Sequence, residues 1–306
     1  MLNSRHAGQN GVRAVATGTS GGGPAGRKES PAQEGFPGAG GDSARGGGPH
    51  WRRGVRLRAL RPGVLAASGN RAGEIVRLWA DGAAGITIPA ARAHGPYSAA
   101  QVRSAYEATR KLLIAANLNW PTLRGGIPEA YERLLVAPER KQFLAGLHST
   151  ALDKDGWPKN TRRSVTSFAP GGTSFVTTVV KVHGTMKAGL ATVSGTPVLR
   201  IRYVYLFVFA VQPPGQPASW MRVMQQQYGT VDFARWDDSG NSFEPWISDG
   251  NQTSGINCGT RDGYIHPSYP QVTSSGPPPS GVPEDPYTLA TPAAGNGTGC
   301  HPVSRT

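Results

Sequence analysis

The run PVLRIRYVYLFVFAVQ, from Pro197 to Gln212, constrains this chain more than any other stretch. Successive side chains of a strand point to opposite faces, so Leu199, Ile201, Tyr203, Tyr205, Phe207, Phe209 and Val211 share one face. The other face begins with Arg200 and Arg202 and turns apolar at Val204, Leu206 and Val208. A strand of that pattern is half exposed at its start and covered on both sides at its end. β-Branched and aromatic residues also dominate RRSVTSF, SFVTTVVKVHGTM and WMRVMQQQYGTVDFARW, which read as strands for the same reason. Loops such as AGLATVSGTP and PPGQPAS join them, so the expectation is a curved antiparallel sheet over residues 162 to 236.

Ahead of the sheet the hydrophobic period changes. Ser98 and Gln101 make a Ser-x-x-Gln capping box, and Val102, Tyr106, Thr109, Leu113 and Ala116 follow on one helical face. Trp120 and Pro121 end that helix. Pro128 suits a first helical position before EAYERLLVA, which carries Tyr131, Leu134 and Leu135 on one stripe. Pro138 restarts a helix, ERKQFLAGLHS, predicted to bury Phe143, Leu144 and Leu147. Helices over residues 97–149 and an antiparallel meander after them predict an α+β fold, with N-terminal helices packed on a curved antiparallel sheet.

Composition sets the boundaries around that domain. With 42 glycines and 26 prolines, much of the chain cannot be core. Residues 1–72 read as a disordered, basic, Gly-rich region, because they hold too little apolar residue to offset the entropy of ordering. Residues 73–236 read as the α+β domain. Residues 237–306 read as a Pro/Gly-rich irregular tail, whose first half packs on the domain through Phe243, Trp246, Tyr264, Tyr269 and Tyr287.

The net charge of +13 is unevenly spread. Residues 71–236 hold 20 bases against 9 acids, while residues 237–306 hold 2 against 7. A basic domain attracts polyanions or anionic lipid, and Arg162, Arg163, Arg200 and Arg202 are the contact candidates. No RNA-binding or helix-turn-helix signature accompanies the charge, so nucleic-acid binding ranks behind the other readings.

Chemistry-bearing residues cluster in INCGTRDGYIHPSYP, Ile256 to Pro270. Cys258, Asp262 and His266 form a nucleophile, orienter and base in outline, but no helix follows Cys258 to activate its thiol. Cys258, His266, Cys300 and His301 number four zinc-type ligands at spacings that match no standard site. A single disulfide between Cys258 and Cys300 fits better, and closing that loop would stabilise by about 3–4 kcal/mol in the chain-entropy model. A disulfide implies an oxidising, extracytoplasmic compartment. The one window resembling a leader, HWRRGVRLRALRPGVLAASGN, is interrupted by Arg56, Arg58, Arg61 and Pro62, and neither a signal peptide nor a transmembrane helix is legible.

The order and length of the elements over residues 97–236 resemble the cone-shaped nuclear transport factor 2-like fold. That resemblance implies a pocket inside the cone, for which His183, Tyr203, Tyr205, Gln226 and Asp232 are the polar candidates. The segments LRGGIPEAY, VVKVHGTM and CGTRDGYIHPSYP are similar to uncharacterised exported or membrane-anchored proteins of high-GC actinobacteria, which favours the extracytoplasmic reading. The resulting expectation is a non-catalytic, envelope-associated or exported domain that interacts with another protein, with peripheral membrane association as a further option. A small-molecule binder or enzyme with a cone pocket is the alternative, and a basic nucleic-acid binder the third. No cofactor and no metal is expected.

Overall fold

The computed structural model describes residues 74–152, 159–235, 243–254, 262–269 and 285–290. The expectation for residues 1–72 therefore lies outside the described residues. A helical turn at residues 74–77 leads into β1 (Ala80–Asp81), and the helices follow as α1 (Ala99–Asn117), α2 (Trp120–Leu123), α3 (Glu129–Glu132) and α4 (Ala137–Gly146). The strands are β2 (Ser174–Phe175), β3 (Lys181–Val193), β4 (Thr196–Gln212), β5 (Met221–Arg235) and β6 (Phe243–Ser254). All pairings are antiparallel, in the order β1-β3-β4-β5-β6, and β2 pairs with the far end of β4. The fold is α+β.

The capping box forms as its residues dictate. The Ser98 hydroxyl accepts from the Gln101 amide while the Gln101 side chain accepts from the Ser98 amide. Val102, Tyr106, Thr109, Leu113 and Ala116 are all buried, and they pack on the face of β4 that carries Leu199, Ile201, Tyr203, Tyr205, Phe207, Phe209 and Val211. The opposite face carries a smaller cluster in which Val76 and Trp79 cover Leu206, Val208 and Met224, with Tyr287 and Leu289 against them. β4 is thus covered on both sides only toward its end, as its residue pattern requires.

Four expectations need correction. AGLATVSGTP is mostly strand, because β3 and β4 meet through a two-residue turn at Ser194 and Gly195, both with positive φ (50° and 82°), the geometry whose twist matches paired strands. RRSVTSF does not join the sheet; it makes a 3₁₀ turn at Thr161–Ser164, and then a buried extended segment with a single parallel bridge from Phe168 to Ile265. Leu144 is 44% exposed while Phe143 and Leu147 are buried. Finally, residues 237–306 are not simply a tail, since β6 completes the sheet alongside β5. Pro245 and the turn-formers around it are tolerated because β6 is an edge strand, whose outer amides need no ladder partner.

One glycine is demanded by packing. Gly184 on β3 lies opposite Tyr205, and a Cβ there would overlap the Tyr205 ring and the Val204 carbonyl oxygen. The carbonyl belongs to the ladder and cannot move aside. Gly184→Ala is expected to lower stability by about 1–3 kcal/mol in urea denaturation. Gly172→Ala, where a new Cβ would meet nothing nearer than 3.6 Å, should be close to neutral, and equal effects at the two positions would contradict this packing.

Candidate functional site

Between the helices and the sheet, four elements deliver polar side chains to one small cavity. Tyr131 comes from α3, Tyr203 from β4 and Gln227 from β5, with Thr109 of α1 and Ile247 of β6 also on its wall. The cavity holds about 10 Å³, room for roughly one water. Glu139, in the first turn of α4, reaches the same wall: its Oε1 accepts from the Ile247 amide at 2.7 Å. Among the described residues its Oε2 is buried without a hydrogen-bond partner, as is the Gln227 Oε1, while the Gln227 Nε2 donates to the Ser164 carbonyl at 3.2 Å.

The sheet itself explains the reach of Glu139. A register irregularity between Thr230 and Val231 leaves β6 bulged at this point, and bulges re-aim strand groups toward neighbouring elements. Burial pushes the Glu139 carboxyl up to about 7, against the opposing effect of the Ile247 amide. The same burial raises the Tyr131 hydroxyl well above its usual range, with Tyr203 and Glu139 adding to the effect. Tyr205, deeper along β4, is pushed up to about 12 by burial, and its hydroxyl lies 3.5 Å from the Thr87 carbonyl. The arrangement could hold a proton or one water, but it has no space for a substrate.

The residues expected to line a cone pocket do not converge. Tyr203 and Tyr205 lie on the helix-covered face, whereas His183 pairs in register with Leu206 and Asp232 with Arg200, which puts both on the opposite face. His183 is exposed and stacks on Trp79, with ring centroids 5.0 Å apart. Asp232 is buried but fully engaged, accepting from Arg200 Nε and Nη2 at 2.6 Å each. Gln226 donates to the carbonyls of Thr288 and Ala290, so it holds residues 285–290 against the sheet.

The four arginines suggested for polyanion contact have different surroundings. Arg162 is only 1% exposed, which removes it from any surface. Its guanidinium lies 4.4 Å from the centroid of the Tyr264 ring and donates to the Gly126 carbonyl and the Ser167 hydroxyl. Burial lowers its pKa, and nearby Tyr264 and Asp262 offset part of that effect. Arg163 is half-buried, and burial lowers its pKa too. Arg200 is paired to Asp232. Arg202 alone is exposed, directly across from exposed Lys187 on β3, and neither makes an ion pair among the described residues.

Residues 262–269 are pinned by hydrogen bonds to the neighbouring segment. Asn160 donates to the Asp262 carbonyl, Ile265 donates to the Ser167 carbonyl, and Ala169 donates to the Ile265 carbonyl. Asp262 accepts from the Tyr264 amide and lies 2.9 Å from His266 Nε2. Cys258, Cys300 and His301 lie outside the described residues, so the expected disulfide does too. No group of three or more metal-ligating side chains occurs among the described residues, and none of their helices is long and apolar enough to cross a membrane.

No family model matches the chain, and no curated protein or solved structure matches it. Glu139 and Gln227 were not singled out from sequence, and Tyr131 was read only as part of an apolar helical stripe. Glu139 follows Pro138 in a first helical turn, where an acid is ordinary, and only the covering of that turn by β6 gives it a special environment.

Two predictions follow from these contacts. The Glu139 carboxyl carries a raised folded-state pKa, so the folded state binds the extra proton between about 4.5 and about 7. Stability should therefore fall as pH rises through that window, by up to roughly 3 kcal/mol, and stay level above it. Glu139→Gln should flatten this dependence in thermal melts, and an unchanged slope would refute the burial of that carboxyl. Arg162→Met should cost at least about 2 kcal/mol through lost hydrogen bonds. It should also speed amide exchange at Ile265 and Ala169, whereas retained protection there would show that Arg162 does not hold residues 262–269.

Proposed function

We propose that the chain is a non-catalytic, exported or envelope-associated protein-interaction domain. The observation that carries this reading is the filling of the space between helices and sheet. There, where the resemblance to the nuclear transport factor 2-like fold would place a ligand, the cavity beside Tyr131 and Tyr203 holds about 10 Å³. The larger concavity, about 400 Å³, is an open groove on the outside, lined by Arg124, Phe168 and Phe175 among others. Exposed apolar side chains such as Val176 (46%) and Trp220 (52%) add to an outer surface suited to contact.

Export rests on the Cys258 and Cys300 pair and on the similarity of several segments to exported or membrane-anchored actinobacterial proteins. In an oxidising compartment the two thiols would join and link residue 258 to residue 300. The small-molecule reading keeps one point in its favour, the Glu139 carboxyl beside Tyr131 and Tyr203, and it requires that cavity to widen.

Two measurements test the proposal. Native protein treated with iodoacetamide should leave Cys258 and Cys300 unmodified until reductant is added, as read by mass spectrometry. Free alkylation of both in protein isolated from its own cells would sink the export reading. A photo-crosslinking residue placed at Arg202, Trp220 or Arg124 should yield discrete heavier adducts in cells, while one at buried Tyr203 should not. Absence of adducts from all three surface positions would remove the interaction reading.

A further inference from the structure

The outer groove carries more chemistry than its shape alone. Its floor is aromatic: Phe168 and Phe175 meet edge to face with centroids 5.1 Å apart, and Trp120 meets Phe175 edge to face at 5.0 Å. Such contacts fix ring orientation, so the surface that Phe175 and Trp120 leave half-buried is a rigid apolar one. The single charge on the wall is Arg124, whose guanidinium carbon lies 5.6 Å from the centroid of the Trp120 ring. Among the described residues, exposed Arg124 makes no ion pair and no acid lines the groove.

A guanidinium held over an indole keeps its N–H fork for a carboxylate. A lone cation suits one carboxylate. A nucleic-acid backbone or an anionic bilayer would call for a row of cations. Beside the groove, β2 pairs among the described residues with β4 alone, with Ser174 opposite Gln212 and Phe175 opposite Val211. Its other edge can accept an extended chain by strand addition.

We propose that this groove docks an extended segment of a partner protein that presents a carboxylate next to an aromatic or aliphatic side chain. The carboxylate pairs with Arg124 and the apolar side chain lies on Phe175, whose ring Trp120 buttresses. This inference rests on the interaction-domain reading and names the chemistry of the partner.

The site can be tested on the purified full-length chain with 3-phenylpropionate, which carries one ring and one carboxylate, and with its neutral analogue 3-phenylpropanamide. Titration followed by NMR shifts of the Trp120 indole and Phe175 amide should show saturable millimolar binding of the acid and at least tenfold weaker binding of the amide. Arg124→Gln, at an exposed position that leaves the core intact, should weaken the acid at least tenfold and leave the amide unchanged. Arg202→Gln should alter neither. No saturable binding, equal affinity for acid and amide, or an unaffected Arg124→Gln variant would each overturn the proposal. Retention on phosphatidylglycerol vesicles that depends on Arg124, without fragment binding, would overturn it in favour of a membrane. Because the fragments are read on the isolated chain, their failure leaves the cellular crosslinking result intact, and loss of crosslinks with fragment binding preserved counts against the interaction reading alone.

Discussion

Everything in this domain is organised by the packing of one face of β4. Its row from Leu199 to Val211 is buried, and nearly every other core residue touches that row or a neighbour of it. α1 lays Val102, Tyr106 and Leu113 over it, β3 and β5 flank it through long registers, and β2 extends it at one end. Burying side chains of this size contributes about 1.5–3 kcal/mol each, so shortening the row would disconnect the helices from the sheet. The two-residue turn at Ser194 and Gly195 fixes the register by which β3 meets it.

Around this apolar centre the irregular segments are tied down by single polar side chains that reach backbone carbonyls. Arg110 holds the turn after β1 through Ile86 and Ala83, Arg162 holds Gly126, Gln226 holds Thr288 and Ala290, and Asn160 holds Ser149 and Asp262. Loops without a ladder must satisfy their backbone in this way when buried. The same demand accounts for these interior polar residues, whereas one oxygen of Glu139 has no hydrogen-bond partner among the described residues.

Much of the fold was legible because it depends on local periodicity. The alternation of Leu199 to Val211 and the Ser98 capping box each belong to one segment, and both formed as read. β6 was missed because Pro245 and the residues after Ile247 resemble turn chemistry, and only its place at the sheet edge makes them compatible with a strand. The candidate site was harder, since it depends on which segments meet. Asp232 was placed among the pocket candidates, and its partnership with Arg200 on the opposite face required the alignment of β4 with β5. Tyr203 lines the interior cavity, whereas His183 faces outward because β3 sets it opposite Leu206. Arg162 looked like a surface cation because charge counts carry no information on burial.

The outer cluster of Trp79, His183 and Tyr287 has a mechanical consequence. Trp79 stacks on His183 and meets Tyr287 at 6.1 Å, so the first and last described parts of the chain are fastened to the same patch of sheet. Tension applied between residues 74 and 290 would therefore load this patch and the Gln226 clamp, and would pass by the hydrogen-bond ladder of β4. A domain tethered at either end could yield at that fastening while its main core stays folded.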